Sequence, residues 1–507
     1  MIIKVMCRFP SGNLLFATSN IQDSLGNWQN KILSISELSR NIGEDKSYEI
    51  SGMSIELDDT DRFFRDMMSG EFRYISGKTV EILTEDNTLI YAGTVEKWQY
   101  KEDTFSLSIN DKLSGLETLI PKTITKERYP NLTAKANGQP IPLIYGRLEA
   151  DTGAVKCWRV DTGLFLLADH HCHSLLGDVF NENGTIITGA TLDNAADECA
   201  YILCTSPLES IYANVKGKMD DSLQLIENPI DALKDIITYY TPMNYNSAGM
   251  EAAREIVIER GYKIACVIDN EKNLQDVLKD FSFSFDCDFY VSKGNEVMVT
   301  LLNWSQLTPV KSYNESQIAE FDMEELPEQI RNRVKYQYQY NFALGQYLQM
   351  PEYTLQESVT GWGEFYNRNE SLDLLYVADD VSAFDVVQRY VIQRKNPRRI
   401  AQLSLPLAEF IGVDISDIIE IQHAGAIDPN KRKYQVRRVN LDFVTDSVQV
   451  EAVDITTLAG GVFLLGDRTT LPLYWQLAGD SDRNFGYLAD KETGYFAGGK
   501  DYGKVLY

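Results

Sequence analysis

The sequence predicts a multidomain α+β protein, mainly β, in which two β-barrel domains flank a β-rich insert and an α+β insert. Three observations carry that expectation. Apolar residues alternate with period two through most of 1–125 and 311–460. The period turns helical between 226 and 310. Two β segments more than three hundred positions apart share one residue pattern. A chain of 507 residues also exceeds what one core accommodates.

The first domain is expected over 1–125. Met53, Ile55 and Leu57 alternate in one strand, Val80 and Ile82 in a second, and Phe105, Leu107 and Ile109 in a third. A short helix is expected over 59–70, opened by acidic residues and closed by Gly70. The β-rich insert follows over 126–225. There "ANGQPIPLIYGRLEA" sets two prolines and two glycines around an apolar run, as in an edge or crossover strand.

The α+β insert spans 226–310. "NPIDALKDIITYY" offers Asn228 as N-cap and Pro229 at the first helical position. Gly261 ends a second helix, and Leu274, Val277, Leu278 and Phe281 mark the apolar face of a third. A hairpin turning at Gly294 closes the unit. The second β domain runs over 311–460. It has an aromatic strand at Val334–Tyr340, a helix with Ser382 as N-cap, and three strands centred on "IIEIQ", "YQVRRV" and "VQVEAV". The Gly- and Tyr-rich 461–507 reads as an extended C-terminal arm.

The shared pattern pairs the segment from 79 with that from 418. Asp103, Phe105, Leu107 and Asp111 correspond to Asp446, Val448, Val450 and Asp454, and Tyr91 to Tyr434. One chain then carries two similar barrels.

Acidic residues outnumber basic ones 74 to 48, a net charge of −26. Such a surface repels the phosphate backbone and suits a wall that DNA passes without sticking. Seven cysteines form no Cys-x-x-Cys pair, as expected of free thiols in a reducing cytoplasm. Lys4 and Arg8 interrupt the opening apolar run, so no signal peptide is expected, and no stretch reaches membrane-spanning length.

The densest chemistry is "LLADHHCHSLLGD" at 165–177, with His170, His171, Cys172 and His173 adjacent. On a strand His170 and Cys172 share one face and His171 and His173 the other. With Cys157 they form the candidate metal set Cys157, His170 and Cys172, but zinc ligands usually come from two separated elements, and no metal or cofactor is expected. "GYFAGGKD" at 494–501 nearly spells a phosphate-binding loop, yet Asp501 stands where a hydroxyl is needed and no helix can follow. Carboxylates at Asp58–Asp61 and Glu324–Glu325 fit capping and solvated faces better than a hydrolytic pair. No catalytic motif is complete, and no enzyme is expected.

The order of several weak segments resembles phage tail-tip and baseplate hub proteins. They are "SGMSIELDDTDRFFRDMM", "GKTVEIL", "QPIPLIYGRL", "LADHHCHSLLGDVFNENGTII" with its Asn183–Gly184 turn, "NPIDALKDIIT", "ELPEQIRNRVKYQY" and the stretch 378–423. The resemblance covers about 1–460. It implies a structural virion protein: a homotrimer at the distal end of the tail tube, made in the host cytoplasm. Two tube-like domains per subunit would match three chains to a six-fold tube. It implies contacts with tail tube or distal tail protein, tape measure protein, and spike or fibre proteins, with genomic DNA only in transit and no stable membrane anchor. Asp58, Asp59 and Asp61, in one acidic loop, are the candidate lumen-facing residues. A tip-borne polysaccharide- or peptidoglycan-degrading enzyme and a carbohydrate-binding β protein are the alternatives.

Overall fold

The computed structural model describes residues 1–10, 12–67, 70–110, 116–151, 153–195, 197–304, 307–365, 371–426 and 431–456, with three strands further on. The fold is α+β and mainly β, with several separate sheets.

Two of the sheets repeat one design. In the first, Lys4–Cys7, Thr79–Leu83, Leu89–Lys101, Thr104–Asn110, Met53–Asp58 and Ile32–Ile35 lie side by side. In the second, the neighbours are Lys311–Asn314, Ile418–Gln422, Arg432–Asp442, Ser447–Asp454, Arg398–Pro406 and Glu320–Leu326. Numbered along the chain, both units have the order 1-4-5-6-3-2. Their details agree as well. A short helix follows the third strand in each, Phe63–Met67 and Leu407–Phe410. Strand five bulges at Val95/Lys97 and at Val436/Arg438, opposite equivalent positions of strand six. The chain entering strand four brackets the residue before each bulge: the Gly77 N–H donates to the Val95 carbonyl at 2.7 Å, and the Ser416 N–H to the Val436 carbonyl at 2.8 Å. One pairing differs, since strand one meets strand four antiparallel in the first unit and parallel in the second.

The repeat read from sequence therefore extends from three strands to six. Phe105 and Leu107 do occupy the places of Val448 and Val450. Asp111 lies outside the described residues. The aligned bulges set Tyr434 against Gly93 rather than Tyr91. That two-residue slip keeps both tyrosines on the buried face, which is why alternation alone could not exclude it.

Each unit carries an insertion between strands two and three. In the first it is the hairpin Leu38–Ile42 and Tyr48–Ile50, which leaves its own sheet and pairs with strand five of the second: Leu38 faces Leu441 and Arg40 faces Val439. In the second it is a larger segment with the strand Arg333–Asn341, its partner Gln346–Gln349 and the helix Asp380–Gln393. That helix starts two residues before the Ser382 expected as its cap. Asp379 caps it instead, its carboxylate accepting from the Ser382 N–H at 2.8 Å.

The helix expected over 59–70 is a single turn, Phe63–Met67, followed by a 3-10 turn at Glu71–Tyr74. It begins late because the Asp59 and Asp61 carboxylates accept from the Phe64 and Phe63 N–H groups, placing the caps further along the chain. In the insert, Asn228 caps Pro229–Tyr240 as expected. Gly261 closes Ser247–Arg260 with φ of 72°, and Leu274–Phe285 buries the four apolar residues named above. In the 461–507 arm, Val462–Leu465 pairs antiparallel with both Gly486–Leu488 and Gly503–Leu506. The remainder of the arm, including 494–501, lies outside the described residues save for those strands.

Candidate functional site

The histidine cluster enters the strand Cys172–Phe180, and the alternation expected of it holds: His170 and Cys172 are buried, His171 and His173 exposed. The His170 Nε2 accepts the Ile144 N–H at 2.9 Å, and its Nδ1 lies 3.1 Å from the His171 carbonyl. Accepting at Nε2 requires a lone pair there, so the proton sits on Nδ1 and points at that carbonyl. Burial lowers the imidazole pKa to about 3, which keeps the ring neutral. The His171 Nε2 is 2.7 Å from the Asp197 carbonyl. Both ring nitrogens of His170 and the Nε2 of His171 thus serve the backbone.

Cys157 and Cys172 are fully buried, and burial pushes both thiols well above their ordinary pKa, the opposite of what a thiolate ligand needs. Among the described residues, no group of three His, Cys, Asp or Glu side chains is placed to hold a metal.

What the cluster does is fasten a joint. The strand Leu143–Leu148 changes partners half-way. Leu143–Gly146 pairs with Ala265–Ile268 of the α+β insert, and Arg147 and Leu148 pair with Lys216 and Val215 of the β-rich sheet. Gly146 is the pivot. Its φ is +75°, and a Cβ there would lie 1.7 Å from the Ile264 carbonyl oxygen. Ahead of this pivot the chain is pinned. The Tyr145 hydroxyl donates to Asp235 at 2.6 Å, a carboxylate shared with Lys218 at 2.7 Å. The Asp169 N–H donates to the Pro142 carbonyl at 3.1 Å. "QPIPLIYGRL" and "LADHHCH", separate in sequence, are two halves of one joint.

The acidic loop divides. Asp59 is fully buried, its Oδ1 capping the Phe64 N–H at 2.7 Å and its own N–H held by the Asp103 carbonyl. That burial takes it out of any solvent-facing set. Asp61 is 59% exposed and pairs with Lys31 at 2.7 Å. Asp58 is partly exposed and accepts from the Thr60 N–H.

The hairpin 38–50 is charge-paired both to the second β unit and to the α+β insert. Leu38, Arg40 and Ile42 face inward. Arg40 pairs with Asp414 and donates to the Val291 carbonyl and to the Tyr48 hydroxyl. Burial opposes its charge, but the Asp414 carboxylate outweighs that and holds the guanidinium firmly protonated. At the tip, Glu44 pairs with Arg394 and Arg398, Asp45 with Lys279, and Lys46 with Asp288. Burial works against the Asp288 charge, yet Arg437 and Lys46 together hold its pKa well below the usual range. Asp417 lies close by. Burial raises its pKa to about 6, with Asp414 adding repulsion against the backbone hydrogen bond that lowers it. Sequence reasoning missed this hairpin. The available signal was Arg40 standing in phase with Leu38 and Ile42, a charge at a core position.

No family model matches the chain, and no curated protein does. Solved structures similar to it include a tail protein from Neisseria meningitidis MC58, with 8% identity over 89% of this chain and 95% of that one, TM-score 0.38. The prophage MuSo2 43 kDa tail protein from Shewanella oneidensis aligns at 9% identity over 90% and 99%, TM-score 0.39. The prophage tail protein gp18 from Listeria monocytogenes EGD-e aligns at 7% identity over 90% and 95%, TM-score 0.39. At such identities and TM-scores they assign no residue of this chain a role.

Proposed function

We propose that the chain is a structural protein of a phage tail, the hub that joins the tail tube to the tip and forms part of the DNA ejection channel. The observation that carries this is the duplication: two six-stranded units of one strand order in one chain, tied together by the 38–50 hairpin. Three such chains present six like units, which lets a three-fold tip meet a six-fold tube. The order of sequence segments resembling tail-tip hubs supports the same reading. So does the net charge of −26, which disfavours DNA adhering to a channel wall.

In this reading the protein is a virion component at the distal end of the tail. It contacts the tube or distal tail protein, the tape measure protein, and spike or fibre proteins. Asp58 and Asp61 are the channel-facing carboxylates, Asp61 with its charge partly offset by Lys31. The experiment is electron microscopy of phage particles carrying a tagged copy of this chain, with tagged label expected at the tail end remote from the head. Label along the tube or on the head refutes the assignment. Replacing Asp58 and Asp61 with lysine should slow DNA ejection from assembled particles, and unchanged ejection kinetics refute the channel-facing role alone.

A further inference from the structure

The two β units share six strands in one order, but one equivalent edge is covered and the other is open. In the second unit, strand five continues past its bulge as Arg438–Leu441 and is paired on both sides, with strand six and with the 38–50 hairpin. The aligned bulges make Lys97, Trp98, Gln99 and Tyr100 the counterparts in the first unit. Those residues pair with strand six on one side. Among the described residues, no strand pairs with the other.

The backbone groups on that edge can be assigned. Lys101 and Thr104 flank the two-residue turn of the 89–110 hairpin and form its closing hydrogen-bonded pair. By alternation Lys97 and Gln99 also bond inward, so the N–H and C=O groups of Trp98 and Tyr100 point outward. The same positions in the second unit, Val439 and Leu441, face Arg40 and Leu38 of the hairpin. The side chains follow suit. Val439 is 2% exposed and Leu441 5%, whereas Trp98 is 37% exposed. A free edge with an exposed tryptophan is a template for strand addition.

We propose that the open edge Glu96–Lys101 receives a strand from a second copy of this chain, repeating between subunits the junction that the 38–50 hairpin makes within one. The occupant follows from the duplication. Within a chain, the insertion of unit one covers strand five of unit two. Continuing the same head-to-tail step requires the insertion of unit two to cover strand five of unit one in the next chain, a heterologous contact that closes into a ring. The second unit's insertion offers a fitting strand in Gln346–Gln349. It pairs on one side with Arg333–Asn341 and carries exposed apolar residues at Leu344, Leu348 and Met350. The inference rests on the hub reading, to which it adds the residues that make the ring.

The test uses the full chain. Sedimentation velocity across a concentration series gives the assembly state, and hydrogen exchange read by mass spectrometry follows peptides covering 96–101, 346–349 and 438–441. Protection of 96–101 and 346–349 should rise together as oligomer forms, while 438–441 stays protected at every concentration. Trp98→Lys should weaken assembly at least tenfold with 438–441 still protected, and Trp98→Phe should restore it. An oligomer in which 96–101 exchanges as fast as in monomer overturns this interface and leaves the hub reading standing. A chain that stays monomeric throughout the series overturns both.

Discussion

Gly146→Ala gives the sharpest test of the joint between the two inserts, because the molecule contains its own control. Gly146 and Gly138 both have left-handed backbones, with φ of +75° and +82°. At Gly138 an added Cβ meets nothing within 4 Å, whereas at Gly146 it would lie 1.7 Å from the Ile264 oxygen and 2.7 Å from the Ile264 carbonyl carbon. Both variants incur the left-handed penalty of ~1–2 kcal/mol. Only Gly146→Ala must also separate two paired backbones by roughly 1.5 Å, to reach an ordinary C···O contact of about 3.3 Å. That pushes the paired residues Gly146 and Ala265 apart and strains the backbone bonds each makes elsewhere, the Gly146 N–H to the Ile226 carbonyl at 3.0 Å and the Ala265 N–H to the Tyr376 carbonyl at 2.9 Å. Two buried backbone bonds, each worth ~1–3 kcal/mol when left unmade, bring the excess over Gly138→Ala to about 4 kcal/mol. With ~2–4 °C per kcal/mol for domains of 150–250 residues, the two melting midpoints should differ by roughly 8–16 °C. Differential scanning calorimetry of both full-length variants reads this directly, and limited proteolysis shows whether the cut falls between the inserts. Midpoints within ~2 °C of each other would refute the account of Gly146 as a pivot.

Other outcomes follow from the charged and titrating groups. Asp417 titrates near 6 in the fold against about 3.9 unfolded, so the folded state binds the extra proton between those values and stability falls as pH rises through that window. Asp417→Asn should therefore stabilise the protein at pH 7.5, by up to ~3 kcal/mol, with the gain shrinking toward pH 4 in urea titrations; no gain at pH 7.5 counts against a strained carboxylate. His170 shows the opposite sign. Its folded pKa of about 3 lies below the unfolded ~6.5, so the unfolded chain binds the extra proton and stability falls as pH drops below 6.5. His170→Gln should remove up to ~1.4 kcal/mol per pH unit of that slope, measured between pH 6.5 and 5. Arg40→Met leaves the Asp414 carboxylate without its guanidinium and should cost ~3–5 kcal/mol, with faster hydrogen exchange at 438–441 than in wild type. Purified protein should carry no stoichiometric zinc, and chelator should leave its melting midpoint unmoved; zinc lost in Cys172→Ser would restore a metal role.

Much of the fold was legible along the chain because local rules act locally. Alternation marked Met53–Asp58, Thr104–Asn110 and Ser447–Asp454, and Asn228, Pro229 and Gly261 marked helix ends. Strand alternation also set His170 and Cys172 on one face and His171 and His173 on the other, and the structure buries the first pair. The repeat was half legible. Strand six shows the same alternation in both segments, but the register of strand five depends on a bulge that hydrogen bonding alone reveals.

The sequence by itself determined most of the strands and helices, which of their faces are apolar, and a strongly acidic net charge. Each is a property of a residue and its near neighbours. Tertiary structure decided the partners. Nothing local says that the Leu38–Ile42 strand leaves its own sheet for Arg438–Leu441. Nor does it say that His170 accepts from Ile144, or that Asp59 is buried while Asp61 reaches solvent. Backbone N–H and C=O groups are alike in every residue, so pairing is chosen by which distant surfaces meet. The histidine cluster is the clearest case: adjacent in sequence, its members part to opposite faces, and the buried one fastens a strand twenty-six residues upstream.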